Sequence, residues 1–178
     1  MARCELERIK EMKNFLECTE EDLLKKRMDK IQSICRNEEK VKEELHEIIE
    51  ELTEGKEAGS IVISFLRSSY ITESHEFYIA YYFDEPFVEE EPDSRYYSLG
   101  LFFEGIDNDL DCINKELGKN YIRILSSEKE EIRRWFVNNI YIGLGKIFKL
   151  LFEDIQPQRN LEVFYGSYMG ELELIGKV

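Results

Sequence analysis

A chain of 178 residues can bury one hydrophobic core but not two large ones, and its 43% apolar and 35% charged residues exclude a disordered chain. A formal net charge of -14 excludes a task built on gripping nucleic-acid phosphates, which needs a concentrated basic stripe. Cys4, Cys18, Cys35 and Cys112 have no close pair, which excludes a zinc knuckle or CxxC centre; with the charged start Met1-Ala2-Arg3-Cys4-Glu5, unlike a secretory signal, they point to a reducing, cytoplasmic setting.

The first predicted helix runs from Cys4 to Glu17, with Leu6, Ile9, Met12 and Leu16 as its apolar stripe. Thr19 offers a cap for a second helix reaching about Arg36 along Leu24, Met28, Ile31 and Cys35. Asn37 is the next candidate cap, followed by Val41, Leu45, Ile48 and Leu52. The spacing is that of a coiled-coil seam, but the runs are short. Two or three packed helices, or one helix continuous through Asn37, satisfy it equally. Glu54 to Gly59, with two glycines, reads as a helix stop and linker.

Beyond Gly59 the period changes from helical to alternate residues. Three strands are predicted, Ile61 to Ser68, Phe77 to Phe83 and Tyr96 to Phe103, forming an antiparallel meander. One face carries Ile61, Ile63, Phe65, Phe77, Ile79, Tyr81, Phe83, Tyr97, Leu99, Leu101 and Phe103, which is a core face. The other carries Val62, Ser64, Leu66, Tyr78, Ala80, Tyr82, Tyr96, Ser98, Gly100 and Phe102, a mixture of tyrosines and small residues that is unusual for a face meant only to meet water. The connection Asp84 to Asp93 holds Glu85, Glu89, Glu90 and Glu91 around Phe87 and Val88, and two prolines keep it extended.

Asp107 to Gly118 is a predicted short helix, Tyr121 to Leu125 an extended segment, and Ser126-Ser127 opens a long helix through about Ile155. Its apolar arc, including Phe136, Val137, Ile140, Leu144, Ile147, Phe148, Leu151, Phe152 and Ile155, is wide enough to lie across the sheet as the centre of the core. Pro157 stops it. Leu161 to Tyr168 and Glu171 to Lys177 then form a hairpin about Met169-Gly170, with Leu161, Val163, Leu172 and Leu174 facing in.

Motifs of chemistry fail on inspection. Asp107, Asn108, Asp109 and Asp111 open like a calcium loop, but its sixth position is Cys112 and its closing position Gly118. Gly143 to Ile147 has a phosphate-loop glycine and lysine but lies inside a helix and lacks the following Ser or Thr. His46 and His75 read as ordinary surface or turn residues. No metal and no cofactor is expected.

The fold class is therefore α+β: an antiparallel β-meander (about 61–103) plus a C-terminal hairpin packed on a long amphipathic helix (about 127–155), preceded by a helical N-terminal segment. Segment 1–55 is set apart from a sheet domain at 59–178. Its helices are expected either to cover the second sheet face or to project for self-association as a homodimer. Segment 58–125 holds 13 acids against 5 bases, while 126–178 holds 8 against 7, so the sheet region carries most of the imbalance and favours a basic protein partner, with no nucleic acid and no membrane.

The expected function is a non-catalytic acidic interaction protein that occludes a basic partner through Tyr78, Tyr82, Glu85, Phe87, Glu89, Glu90, Glu91 and Tyr96. In size, acidity and lack of a catalytic signature the chain resembles small bacterial immunity proteins and phage-encoded inhibitors, a likeness of type that transfers no residue. Two alternatives stay open. One is a small-molecule or peptide sensor lined by Tyr78, Tyr96 and Phe102; the other is a hydrolase that gathers Asp84, Asp93, Asp107 and Asp111 in a cleft.

Overall fold

The computed structural model describes residues 2–19, 21–37, 39–88, 92–153 and 160–178. Three helices open the chain, α1 (Ala2–Thr19), α2 (Glu21–Asn37) and α3 (Glu39–Thr53). Asn37 ends α2, its side-chain amide donating to Ser33 Oγ at 3.1 Å. Gly55, at φ 72, takes the left-handed turn that closes α3 and releases the chain into β1 (Ala58–Phe65).

The strand starts earlier than predicted because Gly59 belongs to it. A Cβ there would lie 2.6 Å from the Tyr82 carbonyl oxygen, so only glycine lets the next strand come this close. One turn of helix, α4 (Ser69–Thr72), leads to β2 (Glu76–Tyr82), and an acidic loop leads to β3 (Asp93–Ser98).

The third strand stops five residues short of the predicted end. Gly100–Phe103 is instead a helical turn, α5, and Leu99, Phe102 and Phe103 are all buried. Spacing of three and four sends these three side chains to one side, whereas alternation would have left Phe102 on the opposite face. Phe83, predicted to face the core, is 69% exposed because β2 ends one residue before it.

Helix α6 (Ile106–Asn120) and the long α7 (Ser126–Glu153) follow, then β4 (Asn160–Ser167) and β5 (Leu172–Lys177). The predicted end of the long helix at Ile155 and its stop at Pro157 lie outside the described residues.

Strand order is β3-β2-β1-β4-β5. The meander is antiparallel as expected, with Ile63 opposite Ile79 and Tyr78 opposite Tyr96. The C-terminal hairpin joins it through a parallel pairing of β1 with β4, Ile63 opposite Tyr165, so the whole sheet is mixed. A register shift at Val163 and Phe164 changes the parity of β5. Leu172 and Leu174, predicted to point inward, sit instead opposite Gly166 and Phe164 on the outer face, and Ile175 fills the inner position.

One core unites the helices with the inner sheet face. Met12, Leu16, Ile31, Leu45 and Ile49 belong to the same buried cluster as Ile61, Ile63, Phe77, Ile79, Leu144 and Phe148. Helices α1 and α2 pack on α7, and α3 packs against β2 and β3. On the inner face Tyr97 donates a hydrogen bond of 2.7 Å to Glu44 Oε2 of α3, which lowers the Glu44 pKa, while burial and that carboxylate raise that of Tyr97. The front helices thus neither project nor cover the tyrosine face; they share the α7 side of the sheet, where their apolar stripes are buried.

The two glycines of the rejected phosphate loop serve this packing. Gly143 faces Met28 of α2 and Gly145 faces the Tyr165 ring, where a Cβ would stand 2.8 Å and 3.1 Å from the nearest atoms.

Candidate functional site

A second, smaller apolar cluster lies on the outer face: Val62, Ala80 and Tyr82, with Tyr78, Phe87, Phe164 and Leu172 packed around them. Every member comes from a strand or from the β2–β3 loop. Among the described residues no helix contributes to it. Antiparallel register explains the assembly, because Val62 stands opposite Ala80, Ser64 opposite Tyr78, and Tyr78 opposite Tyr96, all with the same parity.

Aromatic rings run across this face in sequence. Tyr96 and Tyr78 have centroids 5.3 Å apart, Tyr78 meets Tyr168 edge-on at 5.5 Å, Tyr168 meets Phe87 at 5.7 Å, and Phe87 meets Tyr82 at 5.8 Å. Edge-to-face pairs of this spacing hold the rings in place beyond their burial alone. Phe87 reaches the sheet through a left-handed backbone, φ 66, which a bulky side chain rarely adopts. Tyr96 is 64% exposed and Tyr168 42%, while Tyr82 is buried at the base. Under the rings, the Ser60 and Ser64 hydroxyls are buried and, among the described residues, find no hydrogen-bond partner.

Four of the predicted contact residues, Tyr78, Tyr82, Phe87 and Tyr96, are therefore brought together. Glu85 is exposed on the loop that carries Phe87, next to the exposed Asp84 and Val88. Glu89, Glu90 and Glu91 lie outside the described residues. Sequence reasoning missed Tyr168, Phe164, Leu172 and Leu174, which reach the face only because β4 pairs with β1. No local pattern announces a pairing between segments so far apart.

The alternative sites fare differently. Phe102 is in the main core, so a cavity lined by Tyr78, Tyr96 and Phe102 is not formed, and among the described residues no helix faces the tyrosines to wall one. Asp93 is held by Lys56 Nζ at 2.5 Å, and this ion pair lowers its pKa. Asp109 accepts the hydrogen bond of the buried Arg27 Nε at 2.6 Å, tying α2 to the start of α6. Asp107 and Asp111 share one open cleft, together with Lys129 and Arg133. Among the described residues no three of His, Cys, Asp and Glu converge to hold a metal.

His46 is exposed, but His75 is not the surface residue expected from the sequence. Only 8% exposed, it stacks parallel on Phe103 at 3.8 Å, and its Nδ1 lies 3.1 Å from the Tyr141 hydroxyl. Burial first, and then the nearby Arg133 charge, depress its pKa from 6.5 to about 4.

An imidazole held neutral in the folded state but free to protonate when unfolded makes stability depend on pH. Its contribution is complete above about pH 6.5, is lost as pH falls towards about 4, and amounts to about 3 kcal/mol at most. Urea titrations of the wild type and His75→Gln are expected to converge as pH falls through that window; parallel profiles would contradict this placement of His75.

Compared with known protein families, curated proteins and solved structures, the chain matches none.

Proposed function

We propose that the protein is a non-catalytic interaction protein, which occludes a basic surface of another protein with the aromatic sheet face that no described helix covers. The observation that carries this reading is the segregation of the layers. The described helices that pack on the sheet share its inner core, and a row of partly exposed tyrosines occupies the other face.

Tyrosine offers broad contact area with a polar tip and little rotamer entropy to lose, which suits it to recognition. The acid excess of segment 58–125 favours a basic partner, with Asp84, Glu85, Glu89, Glu90 and Glu91 speeding encounter and the rings slowing release. Inhibition or immunity is the biological role such occlusion serves. The thiols of Cys18 and Cys112, free among the described residues, suit a cytoplasmic setting. Among the described residues no helix is long and apolar enough to cross a membrane.

The test begins with a partner isolated on the full chain and purified. Neutralising the loop with Asp84→Asn and Glu85, Glu89, Glu90 and Glu91→Gln is expected to slow association about tenfold at low ionic strength and to flatten its salt dependence, with dissociation little changed. An unchanged association rate and salt slope would remove the electrostatic part of the proposal.

A further inference from the structure

A cleft of about 690 Å³ opens where α7 passes the carboxyl ends of the parallel strands β1 and β4, within the size range of small-molecule sites. It includes none of Tyr78, Tyr82, Phe87 or Tyr96, although Leu172 borders both the cleft and the outer-face cluster.

Three charged side chains line it: Arg67, just beyond β1, and Glu171 and Glu173 on the hairpin. All three are exposed, and among the described residues none makes an ion pair. A guanidinium and two carboxylates around one cleft that stay apart leave a gap that a bridging molecule can span. Ile142 of α7, 60% exposed, and the Phe65 ring give the cleft an apolar wall.

The charges define the ligand. Arg67 is suited to grip a carboxylate through paired hydrogen bonds, and each glutamate to accept from an ammonium or guanidinium. With two acids against one base, the cleft rejects acidic molecules and favours one of net positive charge. We propose that it binds a cationic α-amino acid such as arginine or lysine. The ligand carboxylate lies on Arg67, its two cationic groups on Glu171 and Glu173, and its methylenes on Ile142.

Calorimetric titration of the full chain with L-arginine, L-lysine, L-argininamide and L-glutamate tests this. Arginine is expected to bind, argininamide about tenfold more weakly for want of its carboxylate, and glutamate not measurably. Arg67→Gln should weaken arginine about tenfold and leave argininamide unchanged, whereas E171Q combined with E173Q should weaken both. These side chains are exposed, so the variants should keep the wild-type melting temperature, and the ligand series on the unaltered chain reads the same charges without substitution. The proposal is overturned if neither arginine nor lysine binds at millimolar concentration, if glutamate binds as well as arginine, or if Arg67→Gln weakens argininamide as much as arginine.

Discussion

Replacing Tyr78 and Tyr96 together by alanine is expected to weaken partner binding a hundredfold or more while the protein stays folded. Central interface tyrosines are worth about 2 kcal/mol or more each when truncated, so two of them carry about two to three decades of affinity. The loss should appear as faster dissociation, because the rings hold the bound state and do not steer encounter. Stability should change little. Tyr96 is 64% exposed and stands on the edge strand, and a cross-strand pair such as Tyr78 with Tyr96 contributes about 0.2–1 kcal/mol. Surface plasmon resonance beside a thermal melt separates the two effects; unchanged binding with a normal melt would mean that the partner docks elsewhere.

Phe148→Ala should have the largest effect on the fold. The ring is fully buried beneath the sheet, 5.9 Å from Phe77 and 5.1 Å from Tyr165, where α7 braces β2 and β4 together. Truncation there removes apolar burial and leaves a cavity that a helix clamped on both sides cannot collapse, a loss of about 3–5 kcal/mol. Against a total of about 5–15 kcal/mol, the urea midpoint should fall by about a fifth or more at unchanged slope. Ile142→Ala, on the exposed side of the same helix, should cost about 0.5 kcal/mol or less. Equal losses at the two positions would mean that α7 is not seated as described.

The parts of this fold legible in the sequence are those with local periodicity. The wide arc of α7, the alternation of β1 and β2, and the turn at Met169-Gly170 all follow from residues close together in the chain. The pairing of β1 with β4 left no such trace, and with it went the outer-face positions of Phe164 and Tyr168. A single register shift was enough to turn Leu172 and Leu174 to the opposite side from that predicted.

The helical turn at Gly100 was hidden because Leu99, Phe102 and Phe103 fit a strand nearly as well as a helix. The burial of His75 depends on Phe103 and Tyr141, both distant in sequence. For the candidate site, alternation alone placed Tyr78, Tyr82 and Tyr96 on one face. Which layer the front helices would join was open, because an amphipathic stripe says only that a face must be buried, not against what.

Radical footprinting of tyrosines, on the free chain and on its partner complex, tests most directly the claim that one sheet face is bare and used for docking. In the free chain Tyr96 and Tyr168 should react readily while the buried Tyr141 and Tyr165 stay protected, and partner binding should protect the first pair as well. Reactivity of Tyr96 as low as that of Tyr141 in the free chain, or labelling of Tyr96 and Tyr168 unchanged by the partner, would contradict it.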